Sequence, residues 1–187
     1  LRVLVEQDEI PSMMFWGPAG CGKTTLASII AHRTNAEYFR LSAVAAGVQD
    51  VRNVLAKAEL NRKRLSKRTI LFIDEIHRFN KAQQDALLHS VEDGLITLIG
   101  ATTENPSFEV ISPLLSRSMV YVLHPLTVDD LNQIIDSALT SDVILRNQTI
   151  RLDEDERRVL IDLAGGDARI VLNGLETSLQ LVVPQKN

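Results

Sequence analysis

The stretch TILFIDEIHRFN, residues 69–80, runs four apolar residues, 70–73, directly into two adjacent carboxylates, Asp74 and Glu75. An apolar run of that length reads as a strand covered on both faces, the pattern of a parallel sheet. Charges side by side at the end of a buried strand repel, and desolvating them is costly unless a cation meets them. In open α/β sheets, ligands bind at the edge where strands end. The pair therefore calls for a counter-charge at that edge.

The surrounding chain sets the scale. Its 187 residues fit one domain, with or without a small appendage, and can bury a sizeable core. A hydrophobic content of 45% with 24% charged residues is ordinary for a globular protein, and a net charge of −4 argues against a surface uniformly suited to coating DNA. No apolar run approaches a membrane span, and no signal-peptide pattern is visible, so no membrane partner is expected. Cys21 is the single cysteine, which excludes an intrachain disulfide and favours a reducing, cytoplasmic setting. The chain opens at Leu1 without a methionine and ends on PQKN, and reads as a fragment.

Apolar runs alternate with helical patterns through the first two-thirds of the sequence. SMMFWG (12–17), EYFRLSAV (37–44), TILFID (69–74), ITLIGATT (96–103) and MVYVLH (119–124) read as strands. Residues 23–34, the i, i+3, i+4, i+7 series Val51, Val54, Leu55 and Ala58, and KAQQDALLHSVED (81–93) read as helices between them. Strand–helix alternation predicts a parallel, doubly wound α/β sheet. After Pro125 the pattern becomes helical. Leu131, Ile134, Ile135, Ala138 and Leu139 follow a box-like TVDD; DEDERRVLIDLAGG ends on Gly165 and Gly166; and DARIVLNGLETSLQL carries Leu172, Leu175 and Leu179 on one face. The expected organisation is an α/β core over residues 1–125 and a small helical lid over 126–187.

GPAGCGKT, residues 17–24, supplies the counter-charge. It fits G-x-x-x-x-G-K-[ST] between a predicted strand and a predicted helix, the context a phosphate-cradling loop requires. Glycines let successive backbone N–H groups converge on phosphate oxygens, and the following helix offers its positive end. Lys23 suits the β- and γ-phosphates, and the Thr24 hydroxyl suits Mg²⁺. Asp74 suits the metal side of such a nucleotide, while Glu75, pointing differently, suits the base that polarises the attacking water. Thr102 and Thr103 end a strand where a hydroxyl can meet the γ-phosphate or the water. Arg169, at a predicted helix start, opposes the helix dipole and leaves two readings open: a bound anion, or an ion pair with Asp167 or Asp162. Arg117, by spacing alone, reads as a surface charge.

Together these segments resemble the AAA+ ATPases, with Walker A as GPAGCGKT, Walker B as ILFIDE, a sensor-1 strand, an arginine finger and a sensor-2 arginine. The resemblance is closer to the family of bacterial RarA (MgsA) and the Werner-helicase-interacting protein. TILFIDEIHRFNKAQQDALL, GATTENPSFEV, LLSR and GGDARIVLNGLE follow that family's order over residues 10–179. The resemblance implies a five-stranded sheet of order 5-1-4-3-2 followed by a helical lid, a ring-like homo-oligomer, ATP and Mg²⁺ as ligands, and work at stalled replication forks or in recombination-linked DNA maintenance. It implies that Gly17, Pro18, Ala19, Gly20, Cys21, Gly22, Lys23, Thr24 and Thr25 cradle the nucleotide, that Thr24 and Asp74 hold the metal, and that Glu75 activates water. It makes Thr103, ahead of Thr102, the sensor-1 residue, Arg117 the finger acting on a neighbouring subunit, and Arg169 sensor 2. Implied partners are ATP and ADP, single-stranded, gapped or forked DNA, and replication or repair proteins such as single-strand-binding protein. The implied setting is cytoplasmic, nucleoid-associated in a bacterium. LLHSVED lacks a proline usual in the family. The family's adenine-holding N-terminal segment would precede Leu1, and its oligomerisation region would follow Asn187.

Other features read more plainly. RKRLSKR (62–68) places five basic residues at a predicted helix C-terminus, where they satisfy the dipole and stay solvated. His32, His77, His89 and His124 show no metal spacing. Two rival functions stand beside an ATP hydrolase that remodels DNA or a DNA-bound complex. One is another DNA motor, of the DExH type that DEIH spells or of the Holliday-junction type. The other is a non-hydrolysing, clamp-loader-like scaffold.

Overall fold

The computed structural model describes residues 1–141 and 152–182, with side chains to residue 178. The chain divides into two compact units, residues 1–17 with 23–123, and residues 18–22 with 124–187.

The first unit is a five-stranded parallel sheet. Its strands are β1 (Met13–Trp16), β2 (Glu37–Ser42), β3 (Thr69–Asp74), β4 (Thr97–Thr102) and β5 (Met119–Val122), in spatial order β2-β3-β4-β1-β5. This is the expected order, read from the opposite edge. The interior strand β3, paired with β2 on one side and β4 on the other, explains its own composition. Ile70 and Phe72 face one side of the sheet and pack with Met13, Phe15, Ala27, Ile30 and Ile99. Leu71 and Ile73 face the other and pack with Val51, Val54, Ala58, Leu87 and Leu98. Helix α2 (Lys23–Arg33) covers the first face, and α3 (Val48–Leu60) and α4 (Lys81–Glu92) cover the second. Because both faces are covered, the run is continuously apolar rather than alternating. A large-to-small change at a fully buried position such as Leu71 costs about 2–5 kcal/mol.

Helix α4 starts at a capping box in which Asn80 Oδ1 accepts the Gln83 N–H and Gln83 Oε1 accepts the Asn80 N–H, both at 3.0 Å. Short helices α5 (Pro106–Glu109) and α6 (Ser112–Leu115) lead into β5, and α1 (Arg2–Glu6) precedes β1. Beyond α3 one wide helical turn, Asn61–Leu65, carries the basic segment. Lys63 pairs with Glu59 at 3.2 Å, Lys67 with Glu37 at 3.0 Å and Arg68 with Asp8, so these cations serve local ion pairs.

In the second unit, α7 (Val128–Ser141), α8 (Glu154–Ala164) and α9 (Ala168–Val182) enclose Leu131, Ile135, Ile161, Ala164 and Val171. The TVDD box forms as read: the Thr127 N–H and hydroxyl donate to Asp130 Oδ2 at 2.9 and 2.7 Å, and the Asp130 N–H donates back to Thr127 Oγ1 at 3.2 Å. Gly165 ends α8 with φ +55°, in the left-handed conformation expected of it. One expectation is corrected. The buried face of α9 carries Ala168, Val171 and Leu175, whereas Leu172 is exposed, because the i, i+3, i+7 series beginning at Ala168 meets the other two helices. Leu179, assigned to that face from sequence, lies outside the described side chains.

Candidate nucleotide site

The parallel register brings three chain reversals to one edge of the sheet. Trp16 at the end of β1 pairs with Thr102 at the end of β4, and β3 runs alongside β4 to end at Asp74. The Gly17 N–H continues the ladder to Thr102 O at 3.2 Å. A Cβ at Gly17 would lie 2.2 Å from the Leu123 carbonyl oxygen, so the strand can enter the loop only on a glycine here.

Lys23 and Thr24 open α2 at this edge. Lys23 is buried, and its ammonium donates to the Gly17 carbonyl at 2.8 Å, folding the side chain back along the loop. The Thr24 hydroxyl donates to Asp74 Oδ2 at 3.3 Å across fifty residues of sequence. The same oxygen accepts from Arg40 of β2 at 3.4 Å, and the Arg40 guanidinium lies over the Phe72 ring at 6.0 Å. Arg40 thus adds a cation beside Asp74, a contact the sequence reading missed because β2 carries no motif. Hydroxyl and carboxylate oxygens brought this close are the hard donors that suit Mg²⁺, which takes one or two protein oxygens and keeps water or phosphate for the rest. Beside them, burial pushes the Tyr38 phenol above its ordinary value, Arg40 opposes that shift and Asp74 adds to it. Thr25 is exposed on the first turn of α2.

Glu75 occupies an unusual backbone state. With φ +54° and ψ +46° it is left-handed, a conformation costing a residue with a side chain about 1–3 kcal/mol. The kink sends its carboxylate in a direction different from that of Asp74. Glu75 Oε2 accepts from the Thr103 hydroxyl at 3.4 Å and lies 3.3 Å from His77 Nδ1. Strand β4 ends at Thr102, whose buried hydroxyl is engaged within its own turn by Glu104. Thr103, one residue beyond, is the threonine that meets Glu75. His77 belongs to the site by contact and was missed because the sequence offers it only as a histidine without metal spacing.

Arg117 stands at the opposite edge. It precedes β5, whose first residue pairs with the first residue of β1, so it lies at the N-terminal end of the parallel sheet, opposite the C-terminal end where β3 delivers the carboxylates. Its guanidinium pairs with Glu92 at 2.7 Å and donates to the Pro113 carbonyl at 2.8 Å, beside an open recess of about 530 Å³ bordered by Ile10, Ser12, Ile96 and Thr97.

In the second unit, the loop residues Pro18, Ala19, Gly20, Cys21 and Gly22 group with α9. Gly20 has φ +68°, its carbonyl accepts the Ala168 N–H at 3.3 Å, and a Cβ on it would overlap the Asp167 carboxylate. Cys21 is buried. Arg169 donates its backbone N–H to Asp167 Oδ1 at 2.8 Å, and its Nε lies 3.6 Å from that oxygen. Of the two acids weighed from sequence, Asp167 is the partner; Asp162 instead lies 3.9 Å from Arg158.

The pattern of the ATPase family associated with various cellular activities (AAA) matches residues 13–126, β1 through β5 and just beyond. The chain belongs to the AAA family of ATPases. Within that family it is 47% identical, over its whole length, to the replication-associated recombination protein A of Haemophilus influenzae, covering 42% of that protein. It is 46% identical over 96% of its length to the ATPase WRNIP1 of Dictyostelium discoideum, covering 20% of that protein. Among solved structures, the Thermotoga maritima RuvB Holliday-junction branch-migration motor superposes with a TM-score of 0.72 at 31% identity, over 92% of this chain and 56% of that one. The chain therefore spans less than half the length of these curated relatives. The resemblance drawn from the motif blocks holds along nearly the whole AAA chain, and membership implies a nucleotide-binding site of the kind the loop and carboxylates suggest.

Proposed function

We propose that this chain is the Mg-ATP-hydrolysing module of a protein that remodels DNA, or protein bound to DNA, at stalled forks during replication and recombination. The observation that carries the chemistry is the convergence of Lys23, Thr24, Asp74, Glu75 and Thr103 at one sheet edge, with Thr24 3.3 Å from Asp74 and Thr103 3.4 Å from Glu75. The similarity to replication-associated recombination protein A supports the biological setting.

In this reading the loop at residues 17–25 binds the phosphates, and Lys23 turns from the Gly17 carbonyl to the β- and γ-phosphates. Thr24 and Asp74 hold Mg²⁺, which when bound neutralises charge on the phosphate oxygens. Glu75 takes a proton from the attacking water, and Thr103 fixes the carboxylate that does so. Arg169 reads the nucleotide of its own subunit. Arg117 acts on that of a neighbour in a homo-oligomer, since its edge of the sheet is the one remote from its own carboxylates. Core and lid divide near residue 125.

Glu75→Gln separates these roles. It should keep Mg-ATP affinity and lose turnover by about 10²–10⁴-fold, the usual contribution of a positioned base. Substantial remaining turnover removes Glu75 from its role. The setting is tested by the ATPase rate of the full-length protein with single-stranded, gapped, forked and blunt DNA. A flat response counts against a DNA substrate. The likeness to a branch-migration motor favours adding a four-way junction, and stimulation by that alone supports the junction-motor reading.

A further inference from the structure

The buried imidazole of His77 is unused by the mechanism above, yet it touches both elements that the mechanism needs. It sits in the single turn Ile76–Arg78 that follows Glu75, with its side chain 8% exposed. Its Nδ1 lies 3.0 Å from Thr102 Oγ1 and 3.3 Å from Glu75 Oε2.

The neighbours fix which way the proton points. Thr102 Oγ1 receives the Glu104 N–H at 3.0 Å and donates its only proton to the Glu104 carbonyl at 3.2 Å. With that proton directed to Glu104, the hydroxyl accepts from His77. Glu75, as a carboxylate, can also only accept. Nδ1 therefore carries hydrogen and shares it between the end of β4 and the carboxylate. The contacts from His77 and Thr103 both fall on Oε2.

We infer that His77 is a positioning residue that ties the Glu75 carboxylate to the end of β4 through one shared Nδ1–H. The inference rests on the ATPase reading. Glu75 stands on a strained, left-handed residue between strand and turn, and its hydrogen bond from Thr103 is long at 3.4 Å. A second donor on the same oxygen limits rotation of the carboxylate about its stem. Displacement of the Thr102–Glu104 turn by a nucleotide would pass to Glu75 through this hydrogen. No proton leaves His77 in the reaction: it orients the base and does not replace it.

Three variants of the full-length protein, with Mg-ATP affinity and single-turnover hydrolysis measured separately, test this. His77→Ala should slow hydrolysis by roughly 10- to 100-fold, part of what a positioned base supplies, with nucleotide affinity changed less than about twofold. His77→Asn should recover most of the rate, because its amide N–H stands close to where Nδ1–H stands, whereas the longer His77→Gln should not. In a Glu75→Gln background, His77→Ala should add no further loss, since a residue acting through Glu75 has nothing left to orient. Wild-type rates in His77→Ala, equal rates in the Asn and Gln variants, or losses that add to that of Glu75→Gln overturn the inference and leave the ATPase reading intact. Should His77→Ala fail to fold, the contrast between the Asn and Gln variants decides alone. Absence of hydrolysis in the wild type, or turnover surviving in Glu75→Gln, overturns the ATPase reading itself.

Discussion

Replacing Arg117 with alanine should leave ATP binding intact and nearly abolish hydrolysis, and the loss should be repairable from a neighbouring subunit. Strand β5 has four residues, so Arg117 and the carboxylate edge are separated by at least four strand residues at ~3.3 Å, or roughly 13 Å, with the loops in addition. Its guanidinium is directed to Glu92 and Pro113 at that far edge, so contact with its own γ-phosphate would require the sheet to be crossed. Holding it there costs little: the Arg117 side chain is 43% exposed and that of Glu92 32%, and pairs of this kind contribute about 0–1 kcal/mol. Docking of a neighbour can therefore release it, and Glu92→Gln should change the rate by no more than about fivefold. An arginine reaching a transferring phosphoryl group contributes ~10³–10⁵ in rate. The assay is subunit mixing in the full-length protein. Arg117→Ala retains Lys23 and Glu75, while Glu75→Gln retains the arginine, so mixed assemblies contain sites built from both intact halves. Activity above that of either variant alone is expected, and it should vanish if assemblies are cross-linked before mixing. No recovery in proven mixed assemblies would refute the reasoning and leave Arg117 a cis or structural residue.

Two further outcomes follow from the second unit. Arg169 has an exposed side chain with one long ion pair, so Arg169→Ala should alter stability by less than about 0.5 kcal/mol yet weaken ATP binding or turnover by roughly 10- to 100-fold, the worth of one charge-assisted hydrogen bond. Normal binding and hydrolysis would make the Asp167 pair its whole role. Hydrogen bonds from the Thr127 hydroxyl and N–H hold the Asp130 carboxyl below its ordinary value of 3.8. A carboxyl lowered on folding stabilises the folded state above its unfolded value, and that contribution disappears as pH falls through the folded value. Asp130→Ala should therefore unfold more readily than wild type at pH 7 and match it in acid; denaturation curves at both pH values check the convergence, and a constant difference would discount the box.

How much was legible in the sequence differs between the two halves of the problem. Residues 70–73 were readable as a buried strand because a parallel strand covered on both faces has no solvent side and must be apolar throughout. The loop at 17–24 was readable because phosphate binding needs glycines, a lysine and a hydroxyl at fixed spacing, and a spacing is a property of sequence. The same holds for the cap at Thr127, the stop at Gly165 and the order of elements, which depend on residues within a few positions of one another.

What the tertiary structure decided is what depends on register and on partners distant in the chain. The end of β4 at Thr102, not Thr103, turns one hydroxyl into its own loop and leaves the other for Glu75. The pairing of β2 with β3 delivers Arg40 to Asp74 across 34 residues, and the turn after Glu75 delivers His77 to Thr102 across 25. The leucine periodicity of α9 suggested a face through Leu172, but helix packing selected the neighbouring one through Val171, because two adjacent stripes of one helix differ only in which meets another element. Motif residues carry their chemistry in their spacing; residues that orient them carry it in contacts that only the folded sheet creates.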